Sequence, residues 1–140
     1  MASAVNHVGL CVTDIARSRR FYEEALGFTF QRDLRAPDAF TVPLLGLDPP
    51  VGLTAVYLTL GTFILELLHY ERPDNPPSRR RSFNEPGLTH LSLTVDDLPA
   101  TLQRVRDLGG AVVESSDLQI AIMIRDPDGQ LIELLTTAPG

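Results

Sequence analysis

Glu66 and Glu133 each lie inside an otherwise apolar run, FILELL and QLIELL, and each follows a strand-like segment that carries a histidine. The histidines are His7 in NHVGLCV and His90 in THLSLTV. An ionised carboxylate in an apolar interior costs several kcal/mol unless something compensates it. A divalent cation held by both imidazoles and both carboxylates would compensate the pair, making His7, Glu66, His90 and Glu133 the expected metal ligands. Mixed histidine and carboxylate ligation without a thiolate suits Zn, Ni, Co, Mn or Fe and does not choose among them. Such a set leaves positions open on a six-coordinate ion for a substrate with adjacent oxygens. The ion would act as a Lewis acid beside a carbonyl, and Glu66 or Glu133 would carry the proton as the catalytic residue. That is the hardware of isomerisation or epimerisation. The main alternative is structural: pairing of the glutamates with arginine, for instance Arg32 or Arg125. Either histidine taken alone is an ordinary structural residue, and His69 and Glu71 are placed in that class.

The argument for one shared site rests on a repeat, because none of the four residues stands at local ligand spacing. Aligning NHVGLCVTDIARSRRFYEEALGFTF with THLSLTVDDLPATLQRVRDLGGAVV sets His7 on His90, Asp14 on Asp97 and Gly27 on Gly110. All three fall at one offset of 83 (90−7, 97−14, 110−27). Three chemically distinctive residues at a single offset mark a duplicated unit.

The elements that must position these residues follow from the same segments. Val8, Leu10 and Val12 alternate with His7, Gly9 and Cys11, which predicts a strand with the histidine on the less apolar face. Asp14 and Asp97 are placed to cap the helices that follow. Pro99 falls in a first turn, where its missing N–H costs little. Gly27 and the pair Gly109–Gly110 suit left-handed helix stops. Further strands are expected near 28–35, 54–60 and 63–70, and in the second half near 111–115, 118–125 and 130–137. Asp126-Pro127-Asp128-Gly129 forms the turn between the final pair. Each half therefore reads βαβββ. The segment 36–53, with Pro37, Pro43, Pro49 and Pro50, reads as a loop, and the polar, proline-rich stretch 71–87 as an irregular bridge. The fold class expected is α+β: two tandem βαβββ modules, 5–71 and 88–137, joined by the linker 72–87. They form one domain over 1–140, a cup-shaped mixed sheet with helices outside.

A chain of 140 residues buries roughly two-thirds of its unfolded surface and needs no staples. The lone Cys11 excludes an intramolecular disulfide and fits a reducing compartment. The start MASAVNHVGL has no secretory pattern, and apolar runs such as TAVYLTL are too short to span a bilayer. A soluble cytoplasmic protein is expected. The net charge of −6 argues against nucleic-acid and membrane partners. All 12 basic residues are arginines, so Schiff-base chemistry is out and planar anion recognition is open.

These segments together resemble the vicinal oxygen chelate superfamily, which groups glyoxalase I, methylmalonyl-CoA epimerase, extradiol dioxygenases and bleomycin-resistance proteins. The resemblance rests on NHVGLCVTDIARSRRFYEEALGF, LELL at 65–68, GLTHLSLTVDDL at 87–98 and DPDGQLIELL at 126–135. It implies paired βαβββ modules, a homodimer, a small-molecule substrate, and one divalent metal on His7, Glu66, His90 and Glu133. It implies a metal-dependent lyase or isomerase of the glyoxalase or epimerase type. Cys11 and Tyr70 stand where bacterial-type glyoxalase I carries a glutathione-contacting arginine and an asparagine, so glutathione is not implied. Arg79-Arg80-Arg81 either meets the phosphates of a CoA thioester or is a solvated loop. The other class in the superfamily is a non-catalytic protein sequestering an aromatic or peptide natural product. For that role Tyr22, Phe40, Tyr57, Tyr70 and Phe83 are the candidate stacking surface.

Overall fold

The computed structural model describes residues 1–137. The chain separates into two compact units, Met1–Glu23 with Gly27–Pro76, and Glu24–Leu26 with Pro77–Gly140. Each unit carries one open, four-stranded mixed sheet, so the α+β class read from the sequence holds.

In the first unit the strands are β1 (Val8–Cys11), β2 (Thr29–Arg35), β3 (Leu53–Leu60) and β4 (Phe63–Tyr70). Their order is β1-β4-β3-β2, with β1 parallel to β4 and the other pairs antiparallel. The alternation in β1 is real: Val8 and Leu10 are half-buried, while Gly9 and Cys11 are exposed. Helix α1 (Ile15–Arg20) opens on Asp14, whose side chain accepts from the Arg17 amide at 2.9 Å. It continues as a wider π turn over Phe21–Ala25 and stops at Gly27, whose φ is 79°. Phe21, Tyr22, Phe28, Val51, Leu58, Leu65 and Leu67 form the core of this unit. Tyr22 belongs to that core and offers no stacking surface to a ligand.

The second unit repeats the plan with β5 (His90–Val95), β6 (Ala111–Val112), β7 (Ala121–Arg125) and β8 (Leu131–Thr136) in the order β5-β8-β7-β6. Helix α3 (Leu98–Asp107) opens on Asp97, which accepts from the Ala100 amide at 2.9 Å, and Pro99 sits in its first turn as expected. Here the glycine in the left-handed region is Gly109 (φ 87°) and not Gly110. The offset of 83 therefore slips to 82 (109−27) at this point. The π turn supplies the reason: one extra residue in the first helix is taken up by i→i+5 winding.

Three further expectations are corrected. The segment 36–53 is not all loop, because Asp38–Leu45 form helix α2 with Pro43 inside it. The helix survives since Phe40 and Thr41 both donate to Pro37 O, Asp38 accepts from the Val51 amide, and left-handed Gly46 closes the end. The strand expected at 111–115 is only Ala111–Val112, followed by a 3₁₀ turn at Glu114–Ser116, and that expected at 118–125 begins at Ala121. Ser116 is the cause: its hydroxyl donates to Val113 O and accepts from the Met123 amide, replacing ladder partners. The bridge 71–87 is irregular as read, yet its arginines are not all solvated. Arg81 donates to the Leu88 and Pro86 carbonyls, and Arg79 and Arg81 both pair with Glu85. Two of the three arginines thus brace the segment rather than wait for a phosphate. Among the described residues no helix is long and apolar enough to cross a membrane.

Candidate functional site

Strand register decides what each glutamate touches. In the first unit Glu66 lies opposite Gly9 on one side and Tyr57 on the other. Val8, Leu10, Leu65 and Leu67 point to the opposite, core-facing side, so His7, Gly9, Glu66 and Tyr57 share one face. His7 Nε2 stands 2.9 Å from Glu66 Oε2. The other carboxylate oxygen, Oε1, accepts from the Tyr57 hydroxyl at 2.6 Å. His7 Nδ1 donates to Asn6 Oδ1 at 2.7 Å, which fixes the ring and leaves Nε2 turned to the carboxylate. Gly9 leaves room beside this pair chiefly for the Leu68 side chain. A Cβ built there would meet Leu68 Cδ1 at 3.3 Å and Glu66 Oε2 at 3.8 Å.

Burial, then the hydrogen bond to Glu66 and its charge, push the Tyr57 hydroxyl above its usual pKa, against the opposing pull of Arg32. The phenol therefore keeps its proton and stays a donor to Glu66. Burial, followed by the charges of Cys11 and Glu66, likewise raises Tyr70.

In the second unit the same sheet position carries different neighbours. Glu133 lies opposite Ser92 and Met123. Its Oε1 accepts from the Ser92 hydroxyl at 2.7 Å. His90 pairs with Leu131, two residues before Glu133 on the same face. His90 Nδ1 shares a hydrogen bond with Thr89 Oγ1 at 2.8 Å, and the Phe83 ring leans over the imidazole at 4.9 Å.

One pattern runs through all four positions. Asn6, Tyr57, Thr89 and Ser92 each engage one atom of a predicted ligand, and Nε2 or Oε2 is the atom left over. Hydrogen bonds of this kind orient the ligands in metal sites generally. The guanidinium alternative fails. Among the described residues neither glutamate pairs with an arginine, since Arg32 stacks on Tyr57 and Arg125 donates to Gly129 O. Two ligands at right angles on an ion with bonds of about 2.1 Å sit about 3.0 Å apart. The His7–Glu66 separation of 2.9 Å fits that spacing as well as a direct hydrogen bond. Within either unit, the described residues gather no three His, Cys, Asp or Glu side chains about one point. His7 and Glu66 are thus brought together, whereas His90 and Glu133 share a face without touching.

The four orienting residues were not read from the sequence as such. A signal existed for two of them: Asn6 and Thr89, each directly before a histidine, also stand 83 apart (89−6). Tyr57 and Ser92 are recognisable only once the strands are in register.

A sheet of the order β1-β4-β3-β2, repeated, with histidine at or just before the start of the first strand and glutamate on the last, defines a paired-module fold with a polar face in each half. The family model described as the glyoxalase/bleomycin resistance protein/dioxygenase superfamily matches residues 4–134, and the chain belongs to that superfamily. Its relatives include lyases and isomerases. Human mitochondrial methylmalonyl-CoA epimerase is 28% identical, over 93% of this chain and 72% of its own. A probable lactoylglutathione lyase from Synechocystis is 27% identical, covering 94% of each chain. Among solved structures, a glyoxalase family protein from Bacillus cereus matches with a TM-score of 0.83 at 19% identity, over 97% of this chain and 95% of that one.

Proposed function

We propose that the protein is a metal-dependent isomerase or lyase that moves a proton next to a carbonyl of a small oxygenated substrate. The two modules act as halves of one domain in a cytoplasmic homodimer. The ligands are His7 and Glu66 from the first unit and His90 and Glu133 from the second. One observation carries the reading: each of the four has a neighbour occupying its non-ligating atom. A bound cation would supply positive charge that makes the C–H beside a carbonyl more acidic.

The two carboxylates are suited to different tasks. Glu66 is held by Tyr57 at one oxygen and already faces His7 Nε2 with the other, which fits a preset anchor. Glu133 is held by Ser92 at one oxygen only, so its Oε2 is available to take the proton from carbon and return it. Asn6 and Thr89 keep the two imidazoles in fixed orientations. Exposed Cys11 accords with a reducing compartment.

The test is metal analysis of protein purified without a nickel column, together with deuterium exchange into α-hydroxy-ketones and 2-methyl thioesters. The expected result is stoichiometric metal and solvent exchange at the carbon next to the carbonyl. Protein that stays empty after reconstitution with each candidate metal would sink the reading. A second reading, a sequestering protein, draws on exposed Phe83 leaning over His90, an aromatic surface where a flat ligand stacks. Tight metal-independent binding of an aromatic antibiotic without any exchange would favour it.

A further inference from the structure

Arg32 has a position that the proton-transfer machinery does not explain. Strand β2 is an edge strand, where an arginine ordinarily extends into solvent. Its pairing with β3 is irregular: Phe30 lies opposite Leu58 and Arg32 opposite Tyr57, with Gln31 as the extra residue. In unbroken register Gln31 would face Tyr57 and Arg32 would face Val56, on the core side of the sheet. The bulge moves Arg32 to the face that carries His7, Tyr57 and Glu66, as bulges re-aim side chains.

The guanidinium then lies 4.0 Å above the Tyr57 ring. Stacking uses the flat face of the group and one N–H reaches the Tyr57 hydroxyl, which leaves the remaining donors of the guanidinium fork for a planar oxyanion. No carboxylate among the described residues takes those donors, and Arg32 is exposed. This contrasts with Arg19, Arg35, Arg72, Arg79, Arg81 and Arg106, each of which pairs with an acid. Across the sheet Arg32, Tyr57, Glu66 and Gly9 form one row. Two strand spacings, about 10 Å at the backbone, separate Arg32 from Glu66. The second unit has no counterpart, since Val113 is the residue that bonds to Met123.

We infer that Arg32 is a specificity residue that binds a carboxylate of the substrate, so the substrate is an acid whose anionic group lies several bonds from the carbon that exchanges its proton. The inference rests on the polar face being the substrate site and names the substrate class that the site takes. A row with a carboxylate in the middle and, at its edge, a planar cation that no carboxylate among the described residues pairs favours a ligand with two polar ends. One end meets His7 and Glu66, and the other meets Arg32.

The experiment compares succinate with butyrate, which has the same chain length but lacks one carboxylate, by calorimetry on the full chain with and without metal. Wild type should bind succinate at least tenfold more tightly than butyrate. Arg32→Gln should erase that preference, while Arg32→Lys should restore part of it, because a point charge replaces a planar fork. Metal content and the thermal midpoint should be unchanged in Arg32→Gln, which separates recognition from folding. A wild type without the preference, or an Arg32→Gln variant that keeps it, overturns the inference. Failure to take up metal would instead remove the catalytic reading, and the metal-free comparison of the two acids would still decide the role of Arg32.

Discussion

In the first unit Glu66 lies beside a glycine and is reached by His7 and Tyr57; in the second Glu133 lies beside Ser92 and faces Met123. The backbone plan is the same in both, down to the parallel pairing of the first and last strands. The difference comes from two side-chain positions across the sheet. Gly9 has no side chain to offer Glu66, whose Oε2 faces the imidazole, whereas the Ser92 hydroxyl takes up one oxygen of Glu133 and holds it from the other side. The lesson is that duplication preserved where each carboxylate stands, while the neighbours decide how firmly it is held. A carboxylate that already faces its histidine suits anchoring, and one that stands apart from its histidine suits proton transfer.

The comparison breaks most visibly if the two acids are interchangeable. Glu133→Gln is expected to lower deuterium exchange by about 10²- to 10⁴-fold, the usual share of a general base, while metal content falls less. Glu66→Gln is expected to lose metal and activity together, and a paired measurement of bound metal and exchange rate checks both. Equal metal loss in the two variants would put the division of labour aside.

Next in size are the orienting groups. Tyr57→Phe removes the donor to Glu66 and should weaken metal binding by about 10- to 100-fold, as outer-shell losses do. Ser92→Ala should affect the exchange rate more than the metal affinity, since Glu133 is the less constrained acid. Chelator competition and exchange kinetics on the two variants distinguish these outcomes.

Smaller still are the helix caps. Asp14 and Asp97 accept equivalent bonds at 2.9 Å, so Asp14→Ala and Asp97→Ala should each cost about 1 kcal/mol. Urea melts of the two variants should agree closely if the units are alike in this respect. The smallest effect is on alkaline stability. Folding raises the Tyr57 hydroxyl above its ordinary value of 10.0. Its contribution is therefore complete below that value and is lost as pH rises through the raised one. Tyr57→Phe should flatten this part of the stability profile, which denaturation at stepped alkaline pH would reveal.

Much of the fold was legible because its signals are local. The caps at Asp14 and Asp97, the alternation in β1 and the turn at Asp126–Gly129 each depend on residues a few positions apart. Helix α2 was hidden by its prolines, although Pro37-Asp38 at its start and Gly46 at its end were signals of a short helix. The shortened strands near Ser116 were hidden for another reason. A serine hydroxyl can substitute for a ladder partner, and periodicity does not register that exchange.

By itself the sequence determined that a module is duplicated, that each copy carries a histidine strand and a glutamate strand, and which family owns that order. Those properties are written in spacing and periodicity within single segments. Only the tertiary structure decided that Tyr57 holds Glu66, that Ser92 holds Glu133, and that a bulge at Gln31 turns Arg32 onto the polar face. Neighbours across a sheet are set by register between segments far apart in the chain, and a shift of one residue moves every side chain to the other face.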